Sequence, residues 1–342
     1  MNVIPQPRNF ASHAIEALER LLRVQGKRTG YADILQVRAS EAAEWLKKSI
    51  HFIGPPNGEF LDRVNCCVDD IDYPHLPFDV ICLEYEYVLR EVSARDGIRR
   101  AALEQQPDRV CVLAFYSNPT TPIGNIVLQE YGETRLGEFV VWPILGFKAG
   151  RIIYGALLEE EQWMPVLDPV LVTPEISSGL GVKVRSIDTG KCITVQVLSC
   201  QETLSIRAEA SLQLGVKPSA ETLLKEMTND AAGEALAIVE LCNLLDCTNV
   251  ETISLAPSAK LNRKRVAAGR PPLFEYRVLN LRSSGGSEHE NMGTSHASPR
   301  LHYRRGHIRR LQNGRKTWVR PHMVGDASRG NVVKDYKLSQ AE

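Results

Sequence analysis

The residues best suited to chemistry crowd the C-terminal quarter of this 342-residue chain. Five of its eight histidines lie there, His289, His296, His302, His307 and His322, among a run of arginines. Asn313-Gly314 sits between two strand-like runs and favours a type I′ turn in a two-residue hairpin loop. Counting outward from that loop sets Arg310 against Thr317, Arg309 against Trp318, His307 against Arg320 and Arg305 against His322. Side chains alternate along a strand. One face is therefore expected to collect Arg305, His307, Arg309, Trp318, Arg320 and His322, leaving Ile308, Val319, Pro321 and Met323 as the core face. A slip of one residue would exchange the two.

Guanidinium forks match pairs of phosphate oxygens, and an indole can stack on a base. Arg305, Arg309, Arg320 and Trp318 thus read as a surface for nucleic acid or another polyanion, with Arg263, Lys264 and Arg265 adding non-specific affinity. A solvated or inter-domain face is the plainer alternative. A sharper chemistry is metal-independent cleavage of RNA by His307 and His322. One imidazole would take the 2′-hydroxyl proton, the other would protonate the leaving oxygen, and arginine would stabilise the phosphorane.

No metal or cofactor is expected. His302 and His307 differ by five positions, so a regular strand points them to opposite faces, and no nearby cysteine completes a tetrahedral set. Gly179-Leu180-Gly181 lacks the further residues of a nucleotide-binding loop, and there is no Gly-x-Ser-x-Gly elbow. Glu84 and Glu86 share one face of a strand and read as a solvent-facing acidic row. Asp69, Asp70 and Asp72 read as an acidic surface loop.

The elements that must position these groups divide by charge. Residues 1–259 carry 23 Lys+Arg and 35 Asp+Glu, a net of −12, whereas residues 260–342 carry 18 and 6, a net of +12. Such segregation points to a polyanion partner for the basic part, or to docking between the halves. The eight cysteines include one adjacent pair and no CxxC, and they read as reduced, mostly buried thiols. The first residues lack the apolar core of a secretory signal, and no apolar run approaches the ~20 residues that span a bilayer. A soluble, cytoplasmic protein is expected.

Apolar spacing predicts helices over 12–24, 40–50 and 219–246, the last with Gly233 as a candidate break. Between them lie β-branched and aromatic runs at 80–89, 110–116, 124–131, 138–145, 151–158 and 163–172. Short connections favour antiparallel pairing. The expected fold is α+β: an acidic, mainly antiparallel body (1–190), a mainly helical connector (191–259) and a basic antiparallel β module (260–342) with a mobile loop at 283–299.

The runs His302-Tyr-Arg-Arg-Gly-His307-Ile-Arg-Arg, Trp318-Val-Arg-Pro-His322-Met-Val-Gly325 and Val333-Lys-Asp-Tyr336 carry a likeness. Over about 80 residues the C-terminal part resembles the ending of a group of uncharacterised proteins from bacteriophages, prophages and other mobile elements. The likeness implies a bacterial cytoplasm and a role in mobile-element biology, and brings no activity with it. The leading expectation is nucleic-acid binding (DNA or RNA) through the basic module. The alternatives are the His307/His322 ribonuclease and an inhibitor of a host protein complex.

Overall fold

In the computed structural model, the residues described are 7–23, 30–61, 73–88, 106–116, 138–153, 156–173, 182–185, 192–197, 204–205, 219–281, 300–304, 306–319, 322–324 and 326–331. The predicted run at 124–131, the loop at 283–299, the Asp69–Asp72 cluster and Gly179-Leu180-Gly181 lie outside them.

Two helices come first, α1 (Phe10–Arg23) and α2 (Gly30–Lys48). They are followed by β1 (Ile50–Ile53), β2 (Val80–Glu86), β3 (Arg109–Tyr116) and β4 (Phe139–Phe147). The short strands β5 (Ile152–Ile153) and β6 (Ala156–Leu157) pair with each other. Then come β7 (Gln162–Pro165), β8 (Val170–Thr173), β9 (Val182–Arg185) and β10 (Cys192–Val197). Helix α3 (Ala220–Leu245) leads into β11 (Val250–Leu255), α4 (Ala259–Ala267) and β12 (Tyr276–Leu281). The last strands are β13 (Arg300–Arg304), β14 (His307–Arg310), β15 (Lys316–Val319), β16 (His322–Val324) and β17 (Asp326–Asn331).

Ten strands form one sheet in the order β11-β12-β1-β2-β3-β4-β8-β10-β9, with β7 also paired to β4. Its pairs are antiparallel except β1 with β2 and β1 with β12. The fold is α+β with a mainly antiparallel mixed sheet. The parallel exceptions fall where the connections are long: β2 begins well after β1 ends, and β12 arrives after most of the chain.

Both faces of the sheet are covered. On one, Phe10, Ala14, Ile15 and Leu18 of α1 and Ala39, Ala42 and Leu46 of α2 pack on Val80, Cys82, Cys111, Leu113 and Phe115. The α1 residues recur at helical spacing, so burying that stripe docks the helix. On the other face, Ala235, Ile238, Leu241 and Cys242 of α3 pack on Phe52, Ile81, Leu83, Tyr85 and Val112. The Ser219 side chain caps α3 by accepting from the Thr222 amide, and the helix runs unbroken through Gly233.

Three expectations change. The divisions at 190 and 260 do not divide the sheet, because β11 comes from the segment read as a connector and β12 from the segment read as a basic module. Residues 260–270, expected within the basic β module, are mostly helix α4. The third change concerns the hairpin. Leu311 and Arg315 close its loop, and Gly314 donates to the Leu311 carbonyl with φ of +78°. That is a three-residue loop with a left-handed glycine rather than a two-residue type I′ turn. The register therefore slips by one, pairing Arg310 with Lys316, Arg309 with Thr317, Ile308 with Trp318 and His307 with Val319.

Candidate functional site

The slipped register redistributes the predicted surface. Ile308 is buried, and Trp318 opposite it packs against the core shared with α3. Lys316 is buried too, its ammonium donating to the Asn243 Oδ1 at 2.8 Å. Asn249 clasps the Trp318 backbone at both its N–H and its carbonyl. The face bearing Trp318 is thus the docking face of the hairpin, and the indole is drawn out of the exposed array. His307 and Arg309 share the opposite face with Thr317 and Val319, and Arg309 is exposed.

The register also separates the two histidines. His322 pairs with Arg304 in the β13–β16 ladder, whereas His307 lies in the β14–β15 ladder. The two ladders belong to separate sheets. Arg305 and Arg320 lie outside the described residues.

Helix α4 sorts its own charges by face. Asn262 and Arg265 look inward. Asn262 exchanges hydrogen bonds with the Leu273 backbone, and Arg265 binds Glu16 of α1, which also accepts from Arg270. Lys260, Arg263 and Lys264 lie at i, i+3 and i+4 on the outer side, all exposed, with no ion pair among the described residues. Part of the C-terminal positive charge is therefore spent on the acidic half, and part is not.

The densest cluster of reactive groups lies elsewhere, between the sheet and α1. In β1–β2 pairing His51 stands beside Cys82, and Glu84 follows on the same face of β2. One donor atom from each of these three buried residues lies within 4.8 Å of the other two. Tyr276, the partner of His51 on β12, and Cys111, the partner of Glu84 on β3, complete the surroundings.

Glu84 is 0 % exposed, so the solvent-facing acidic row of the sequence reading is overturned. Its two oxygens accept from the Phe10 and Ala11 amides, each at 2.9 Å, and from the Tyr276 hydroxyl at 2.8 Å. The two amides are the first of α1, orphan donors at the positive end of the helix, so a carboxylate from a distant strand caps it. Glu86, two residues on, is exposed enough to pair with Arg8 at 3.6 Å. Burial and the Glu84 charge push the Tyr276 phenol far up, which keeps it a donor.

His51 is held from two sides. Phe274 stacks on its ring at 4.1 Å. Ser49 Oγ donates to the Leu46 carbonyl, so toward His51 Nε2, 3.3 Å away, it acts as acceptor. Nε2 therefore carries a proton, and Nδ1 is the atom facing the cluster. Nδ1 makes no hydrogen bond, with the nearest Glu84 oxygen 3.7 Å off. Burial works to lower the imidazole pKa, but Cys82 and Glu84 outweigh it and raise the value to about 9. Burial likewise opposes ionisation of Cys82, while the Cys111 thiol and His51 bring its pKa down. Cys111 itself is pushed well up by burial and by Cys82.

The sequence reading passed over His51 and Cys82. The signal was a histidine inside the apolar run Ile50-His51-Phe52-Ile53 and a carboxylate embedded in Val80-Ile-Cys82-Leu-Glu84-Tyr. No protein-family model, curated protein or solved structure matches this chain. Among the described residues, no helix is long and apolar enough to cross a membrane.

Proposed function

We propose that the protein binds nucleic acid as a polyanion, with the outer face of α4 as a principal contact and Arg309 as a second. The observation that carries this reading is the division of labour on α4. Its inner face is fixed to the body through Asn262 and Arg265, while Lys260, Arg263 and Lys264 project from a helix with no buried side chain. A row of exposed cations on a helix held in place, with no ion pair among the described residues, is what counterion release on a phosphate backbone exploits. The C-terminal likeness to proteins of phages and mobile elements supplies a setting, the bacterial cytoplasm, in which such polyanions abound. Phosphate contacts of this kind read charge rather than base sequence.

Fluorescence anisotropy with labelled single- and double-stranded DNA and RNA across a salt series tests the proposal. Affinity should fall steeply with salt. Replacing Lys260, Arg263 and Lys264 together by glutamine should flatten the log–log slope by roughly 2–3. An unchanged slope in the triple variant would remove α4 from the interface. No binding at low salt would defeat the reading altogether.

A further inference from the structure

We propose that His51, Cys82 and Glu84 form a binding site for one divalent transition-metal ion of the zinc class. Imidazole nitrogen, thiolate sulfur and carboxylate oxygen are the donors such an ion takes. They lie on two adjacent strands and face one point. Metal–ligand bonds of about 2.0–2.3 Å place tetrahedral donors roughly 3.3–3.8 Å apart. Nδ1 lies 3.7 Å from the nearer Glu84 oxygen, and the 4.8 Å bound on all three asks for a contraction of at most about 1.5 Å.

The strongest argument is the orphaned Nδ1. With Nε2 turned to Ser49, Nδ1 is buried without a hydrogen-bond partner and faces a carboxylate and a sulfur, so a metal cation in place of a proton would meet all three donors at one point. A divalent ion with one carboxylate and one thiolate also leaves the buried site with no net charge, which water-free surroundings require. The outer shell is in place as well. Ser49 orients the imidazole, and the Phe10 and Ala11 amides with the Tyr276 hydroxyl fix the carboxylate. Ala11 and Tyr276 donate to Oε1 and Phe10 to Oε2, so the acceptor position of Glu84 open to a metal is on Oε2. Cys111, the partner of Glu84 across β2–β3, is a candidate for a fourth ligand.

Full-length protein expressed in cobalt-supplemented medium and purified without chelator tests this directly. The expected result is close to one cobalt per chain, with a near-ultraviolet thiolate-to-cobalt absorption band. Cys82→Ser should abolish the band, whereas Cys242→Ser, at a buried thiol under α3, should leave it intact. Ser49→Ala, which removes the partner of Nε2 together with a hydrogen bond to the Leu46 carbonyl, should weaken cobalt retention against a competing chelator roughly 10- to 100-fold. Natively folded wild-type protein without cobalt, or a Cys82→Ser variant with unchanged band and content, would overturn the proposal. Neither result bears on binding by α4, which the anisotropy titration decides separately.

Discussion

Glu84 shows how much one side chain can fasten. It ties α1 to β2 through two amides and β12 to β2 through a phenol, across 74 and 192 positions of sequence. Truncation to alanine strands three buried donors at once, so Glu84→Ala is expected to destabilise the protein by about 3 kcal/mol or more. Tyr276→Phe removes one donor and leaves two, and is expected to cost about 1.5–3 kcal/mol. Urea unfolding of the two variants beside wild type measures both. Equal, near-zero losses would mean that the carboxylate is replaceable at the head of α1. The sequence placed Glu84 correctly on a strand and on the same face as Glu86, and went wrong only on where that face points. Alternation distinguishes two faces but cannot say that both are covered, and here α1 and α2 cover the one that a soluble edge would expose.

At the scale of elements, α4 is held to α1 largely by Glu16. Burial works to raise the Glu16 pKa, but hydrogen bonds and charge from Arg270 and Arg265 hold it below the ordinary carboxylate value. A depressed carboxylate contributes stability above its unfolded value, and that contribution is lost as pH falls through the folded value. Glu16→Gln is therefore expected to cost about 1 kcal/mol near neutral pH, the size typical of a partly open pair. The difference from wild type should vanish in acid below the ordinary carboxylate range. Unfolding free energies of both proteins across pH check the sign, and a difference that persists in acid would assign the loss to packing. Helices α1 and α3 and strands β2, β3 and β4 were legible from spacing within a few residues, whereas α2 begins at Gly30, well before the predicted start. β1 was missed because only Ser49 separates it from α2, so Ile50 was read into the helix and His51, Phe52 and Ile53 were given no element. The hairpin was legible and its register was not. Asn313-Gly314 suits a two-residue loop, yet here the pair serves a longer one, because docking buries Lys316 and Trp318 together with Ile308.

For the whole molecule, the charge map predicted either an external polyanion or contact between halves, and α4 does the second with one face while leaving the other open. The sheet unites segments that composition had set apart, so the body, α3 and β12 are expected to unfold as one unit. Far-ultraviolet circular dichroism and tryptophan fluorescence should give superimposable transitions in guanidinium, since Trp142 and Trp163 lie in the body and Trp318 on the hairpin. Two separated transitions would show that the residues before 190 are an autonomous domain.

The position of β12 also governs how the chain is made. It lies between β11 and β1, and it supplies the phenol that, with the ring of Phe274 just before it, closes the His51 layer. During translation β1 can therefore have only one neighbour until Leu281 has left the ribosome, and for most of synthesis its other edge stands open. An exposed edge is a template for pairing with other chains. The nascent protein must shelter that edge for most of its elongation, and a premature stop codon anywhere before Tyr276 leaves it permanently bare.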